Sequence, residues 1–271
     1  MYPKKGLGQH FLASEGTLDK IADAAQLGPD DVVLEIGPGL GDLTRRLARR
    51  AGEVIAVELD ERLALPLRGL MAEHPNVRVV FGDILEQDVG ALVGHRPYVV
   101  VANLPYYITG AVVRHLLDAQ PPPARMVLLV QREVAERMAQ EPPDSLLALA
   151  VQLHTQPEVL FRVPPGAFVP RPKVESALVR LTRRERPRIP PELIPRFWRI
   201  ARAAFRERRK QLRNTLARGL GLPKAEVEAW LARAGIAPNR RAETLTWADW
   251  QRLTETAPPA VDASGSRPAS T

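Results

Sequence analysis

The sequence predicts an α/β protein: a mostly parallel, seven-stranded sheet wound by helices, followed by a small all-helical C-terminal domain. Three observations carry this expectation. Short valine-rich runs alternate with helical patterns up to about residue 160, the rhythm of a parallel sheet covered on both faces. A glycine-rich turn follows the first of these runs. Beyond a proline-rich stretch the alternation stops and only helical patterns remain.

The apolar runs at 32–36, 54–58, 77–81, 98–102 and 126–130 are near-continuous, as strands buried on both faces are, and give five parallel strands. Helical patterns occupy 40–50, 111–119, 132–140 and 145–154. Two more strands, 159–163 and 176–181, are joined by the proline-rich loop 164–172 and suit an antiparallel hairpin that finishes the sheet. The stretch 183–191 holds three prolines and several arginines and reads as a linker. Helices are expected at 193–205, 208–220, 224–234 and 247–256, with Trp198, Trp230, Trp247 and Trp250 in their core. Residues 257–271, mostly proline, alanine and serine, are expected to be disordered. The expected domains are therefore 1–183, 184–256 and a tail.

Composition narrows the chemistry. With no cysteine in 271 residues, disulfides, zinc–thiolate sites and thiol nucleophiles are excluded. No apolar run reaches the roughly 18 residues of a membrane span, and the first residues lack the apolar core of a signal peptide, so the chain reads as cytoplasmic. The net charge of +7 is concentrated: residues 180–218 hold fourteen Lys or Arg against three acids, which leaves the remainder slightly acidic. A charge gathered in this way points to a polyanionic partner for the helical domain, with Arg206, Arg208, Arg209, Lys210 and Arg213 as the contacts.

The turn after the first strand reads Glu35-Ile36-Gly37-Pro38-Gly39-Leu40-Gly41 and leads into a helix. Glycines such as Gly37 and Gly39 let the backbone approach a ligand closely, and the helix start offers free N–H groups. Glu58 ends the second strand, where a carboxylate can bind both hydroxyls of a ribose. Asp83 follows the third, where an acid can accept from an adenine amine; capping the next turn is nearly as good a reading for it. These residues specify an adenosine-containing cofactor without separating S-adenosylmethionine from a nicotinamide dinucleotide.

Asn103-Leu104-Pro105-Tyr106, after the fourth strand, decides the matter. An adenine N6 amine is a poor nucleophile because its lone pair is delocalised into the ring. The Asn103 side-chain oxygen and the Leu104 carbonyl can draw its N–H groups out of plane and aim the lone pair at a sulfonium methyl. Pro105 biases Leu104 towards an extended conformation, and Tyr106 offers a face for the extruded base. Most of the acceleration would then come from proximity and orientation.

At this point the chain resembles the KsgA (RsmA) family of ribosomal RNA adenine dimethyltransferases, across nearly its whole length to about residue 256. The carrying segments are Gly8 to Leu12, the Glu35 to Gly41 turn, Glu58, Asp83, Asn103 to Tyr106, Phe168 to Ser176 and Ala204 to Asn214. The resemblance implies a Rossmann-like class I methyltransferase fold and contacts from His10, Leu12, Gly37, Glu58, Asp83 and Asn103 to S-adenosylmethionine. It also implies a base sandwiched between Tyr106 and Phe168, and double methylation of two neighbouring adenosines near the 3' end of small-subunit ribosomal RNA, on 30S particles, by a monomer. From residues alone Phe168 reads more readily as core. Many family members carry asparagine where this chain has His10, which leaves the side-chain role there open. Three alternatives stand beside this reading. The methyltransferases of antibiotic resistance that act on large-subunit RNA share much of the pattern. A DNA adenine methyltransferase would more usually show Asp-Pro-Pro-Tyr, and an assembly factor would bind immature 30S particles with catalysis secondary.

Overall fold

The computed structural model describes residues 10–207 and 209–263. The chain divides into two units, Met1–Glu136 with Thr155–Arg183, and Arg137–His154 with Arg184–Thr271.

The first unit is built on seven strands: β2 (Val32–Ile36), β3 (Glu53–Glu58), β4 (Val77–Phe81), β5 (Val99–Asn103), β6 (Arg125–Gln131), β7 (Thr155–Val163) and β9 (Ser176–Arg183). Their order across the sheet is β4-β3-β2-β5-β6-β9-β7. The first five are parallel, and β9 runs antiparallel between β6 and β7. All five residues of β2 are buried, as are Val99 to Ala102 of β5, so the valine runs that signalled strands do so because both of their faces are covered. Chain direction across the sheet reverses between β2 and β5, and at such a switch point the carboxyl ends of the strands open a crevice. Ile36, Glu58 and Asn103 end their strands there.

Around the sheet lie α1 (Glu15–Ala24), α2 (Asp42–Ala48), α3 (Ala64–Glu73), α4 (Val89–Leu92), α5 (Thr109–Asp118) and α6 (Arg132–Ala139), which runs into the second unit. The α1 helix buries Leu18, Ile21 and Ala22, spaced by three and four residues. Two residues before it, β1 (Phe11–Leu12) pairs antiparallel with β8 (Phe168–Val169), Phe11 opposite Val169 and Leu12 opposite Phe168. This small ribbon ties the N-terminal arm to the loop that precedes β9.

The second unit is helical: α7 (Leu146–His154), α8 (Ile194–Phe205), α9 (Leu212–Leu220), α10 (Lys224–Arg233), α11 (Trp247–Glu255) and α12 (Ala260–Ala263). Trp230 and Trp250 are fully buried in its core, with Trp198 and Trp247 packed against it. Leu149 and Leu153 of α7 join the same core, which is why residues 137–154 belong here and not with the sheet, as a simple boundary at 183 would have them. The expectation of disorder from residue 257 is corrected in part. The α12 turn buries Val261 completely, and Asp262 pairs with Arg196; residues 264–271 lie outside the described residues.

Candidate active site

The crevice at the switch point is a cavity of about 1160 Å3 including its open mouth, large enough for a nucleoside-sized ligand and a base together. Its walls include His10, Leu12, Gly37, Gly39, Glu58, Asp83, Asn103, Leu104, Pro105 and Tyr106. Every expected cofactor residue and every expected catalytic residue except Phe168 is thus brought to one place.

Local geometry explains the glycines. Gly39 has φ +59°, and a Cβ there would lie 3.1 Å from the Phe11 ring. Gly41, the N-cap of α2, has φ +85°, and its Cβ would meet Leu70 at 2.9 Å. Side chains at either position would strain the backbone and crowd the turn. The Gly39 N–H donates to Glu58 Oε2 at 3.1 Å, and the Asp60 N–H donates to Oε1 at 2.8 Å. Glu58 is 5% exposed, and burial raises its pKa against the opposing pull of these backbone donors. With both oxygens held by backbone N–H groups, the carboxylate has a fixed orientation at the cavity wall.

Asp83 divides its carboxylate. Oδ1 accepts from the Leu85 N–H at 2.9 Å, capping a short turn, so Oδ2 is the oxygen available to the cavity. Capping and ligand binding are therefore compatible.

At the end of β5, Asn103 Nδ2 donates to the His10 carbonyl at 3.0 Å. A carbonyl only accepts, which settles which way the amide points and leaves Oδ1 without a hydrogen bond among the described residues. Leu104 is 1% exposed; its N–H donates to the Leu129 carbonyl at 3.1 Å, while its own carbonyl accepts no hydrogen bond among the described residues. Two acceptors with no partner among the described residues thus stand on consecutive residues. The Tyr106 hydroxyl and Ser176 Oγ share a hydrogen bond of 2.8 Å, and burial raises the tyrosine pKa.

Phe168 is placed as its residue type alone suggests, in the core, and not as the resemblance implies. It is 3% exposed and packs in the core with Leu12, Leu18 and Leu178, because its pairing with Leu12 turns the ring inward. The ring that lies along Tyr106 is that of His10, 5.8 Å between centroids and 25° between planes.

Glu35, the residue two places before Gly37, also lines the cavity. It is 1% exposed, and its Oε2 has no partner among the described residues. Burial pushes its pKa to about 8, tempered by the nearby Thr44 hydroxyl and increased by the Glu58 charge. Its position directly before the glycines was the only signal in the sequence. No cluster of metal-ligating side chains occurs among the described residues.

In the second unit the expected RNA contacts separate. Arg206, Arg209 and Lys210 are exposed in the turn between α8 and α9 and make no ion pair among the described residues. Arg208 lies outside the described residues. Arg213 is engaged within the protein, bonding Glu228 at 3.2 Å and Gln211 at 3.1 Å, because it sits on α9 within reach of α10. No helix among the described residues is long and apolar enough to cross a membrane.

Residues 3–257 match the family described as ribosomal RNA adenine dimethylase. A relative from Dehalococcoides mccartyi, named ribosomal RNA small subunit methyltransferase A, is 48% identical over 92% of this chain and 87% of its own length. One of the same name from Moorella thermoacetica is 44% identical over 94% of this chain and 93% of its own. Among solved structures, the 23S rRNA methyltransferase ErmE is similar with a TM-score of 0.74 and 33% identity, covering 91% of this chain and 98% of its own. A dimethyladenosine transferase from Plasmodium falciparum gives 0.73 and 26%, covering 90% and 96%.

Proposed function

Because the chain belongs to the ribosomal RNA adenine dimethylase family, we propose that it transfers methyl groups from S-adenosylmethionine to adenine N6 in small-subunit ribosomal RNA, giving dimethyladenosines at two adjacent positions near the 3' end. The observation that carries the chemistry is the pair of acceptors without a partner among the described residues, Asn103 Oδ1 and the Leu104 carbonyl, beside Tyr106 in the cavity wall.

The donor set fits this cofactor. The Glu58 carboxylate, held by two backbone N–H groups, would take the ribose hydroxyls; Asp83 Oδ2 would take the adenine amine, and the glycine turn would pass beneath. His10 and Leu12 would close the cavity from the N-terminal arm. When bound, the cofactor supplies an electrophilic methyl group on a sulfonium.

The protein's own residues do the rest. Tyr106, tied through its hydroxyl to Ser176, stacks on the target base and fixes its plane. Asn103 Oδ1 and the Leu104 carbonyl accept the two N–H groups of the amine. That holds the nitrogen pyramidal, with its lone pair out of the ring. As the nitrogen gains positive charge its N–H becomes acidic, so the proton leaves to solvent without a strong base. The enzyme's contribution is chiefly orientation and electrostatic preorganisation.

We assign Arg206, Arg209 and Lys210 to the RNA backbone, the 30S particle as substrate, and a cytoplasmic monomer as the working form. The test of the chemistry is Asn103→Ala, assayed by transfer of labelled methyl groups to unmethylated 30S particles. The single-turnover rate should fall by roughly 10²- to 10³-fold, the scale for losing one preorganised polar contact at a reacting atom. Wild-type turnover in this variant would remove Asn103 from the mechanism.

A further inference from the structure

We infer that the His10 side chain is a positioning residue for the target base, backing the Tyr106 ring and joining it to the loop that follows Phe168. This rests on the reading of the site as a base-methylating centre and adds to it a residue whose side chain had no role.

Three contacts converge on His10 from parts of the chain far apart. Its carbonyl accepts from Asn103 Nδ2 at 3.0 Å, across 93 residues. Its Nδ1 lies 2.7 Å from the Pro170 carbonyl, across 160 residues; because a carbonyl only accepts, Nδ1 carries the proton and the ring orientation is fixed. Its ring lies 5.8 Å from that of Tyr106 at 25°. The first contact needs only backbone and any residue could make it. The other two need an aromatic ring with a donor nitrogen.

The consequence is mechanical. Tyr106 is pinned at its hydroxyl by Ser176, and a ring pinned at one point still tilts. With His10 along one face, and His10 itself held by Pro170, the tilt is removed. A base stacking on Tyr106 then meets a plane whose angle to Asn103 Oδ1 is set before it arrives. With Phe168 turned into the core, His10 is the aromatic partner of Tyr106 among the described residues.

The test compares full-length wild type, His10→Ala, His10→Phe and Asn103→Ala. The readouts are single-turnover methyl transfer with saturating S-adenosylmethionine and unmethylated 30S particles, and calorimetric affinity for the cofactor. His10→Ala should lower the maximal rate about tenfold, the scale of one aromatic pair, while cofactor affinity falls by less, because the His10 backbone and Leu12, which line the cavity, are retained. His10→Phe, which restores a ring against Tyr106 but not the bond to Pro170, should recover part of the loss. A wild-type rate in His10→Ala would overturn the inference, as would an equal fall in cofactor affinity or a phenylalanine variant as slow as alanine. A rate above wild type, the result if the His10 ring covered the face the base needs, would also overturn it. If wild type methylates, Asn103→Ala fails and His10→Ala is normal, only this inference falls. If wild type transfers no methyl group to adenosine, the reading of the site falls with it.

Discussion

Glu35 shows what a single buried carboxyl does to this protein. In the folded state its pKa is about 8, against 4.5 for an ordinary glutamate. Below about 4.5 both folded and unfolded chains carry the proton and the group makes no difference. As pH rises towards 8 the unfolded chain ionises while the folded one does not, so stability drains away, and above 8 the loss is complete. Glu35→Gln removes the titration. The variant should therefore lose less stability between pH 5 and pH 8, by an amount on the order of a few kcal/mol. Denaturant unfolding followed by circular dichroism at both pH values checks it, and equal pH slopes in the two proteins would contradict the assignment. At this scale the site was legible wherever chemistry is local in sequence: the glycine turn, Glu58, Asp83 and Asn103 to Tyr106 each sit at a strand end. What escaped was set by distant pairing. The contacts of His10 depend on residues 93 and 160 positions away, while the burial of Phe168, the reading its residue type alone favours, is secured by its pairing with Leu12 in β1.

The elements were legible where both faces of a strand are buried. The runs 32–36 and 77–81 match β2 and β4 residue for residue. At the sheet's edge, β7 begins at Thr155, four residues ahead of the expected start, because an edge strand tolerates Pro157 and Glu158 and so lacks the apolar signature. The helix expected from 208 begins instead at Leu212. Residues 206–211 offer nothing apolar to bury, and the core-facing spacing of Leu212, Thr215 and Leu216 starts only there. The α1 and α3 helices were not anticipated. One start has a strong local signal: α11 opens with a capping box, in which Thr246 Oγ1 accepts from the Asp249 N–H at 3.2 Å and Asp249 accepts from the Thr246 N–H at 3.0 Å. Thr246→Ala should cost about 1 kcal/mol. All four tryptophans lie in the second unit, so tryptophan fluorescence during denaturation reads that unit directly. An unchanged midpoint would show that the cap contributes nothing.

For the molecule as a whole, charge and chemistry are carried by different units. The cavity belongs to the sheet unit, and the exposed Arg206, Arg209 and Lys210 belong to the helical one. The uneven charge was readable from composition, but which cations are free was not, since Arg213 and Arg218 are bonded to Glu228 and Glu207. Reversing Arg206, Arg209 and Lys210 to glutamate should weaken binding to 30S particles and flatten its dependence on salt, because fewer counterions are released on binding, while cofactor affinity stays unchanged. An identical salt slope would take the RNA backbone away from this turn. The most direct test of the account is the product itself. Wild-type protein is incubated with labelled S-adenosylmethionine and 30S particles lacking the modification, and the RNA is digested to nucleosides. The account predicts label in N6,N6-dimethyladenosine; label confined to any other nucleoside, or none in the RNA, would contradict it.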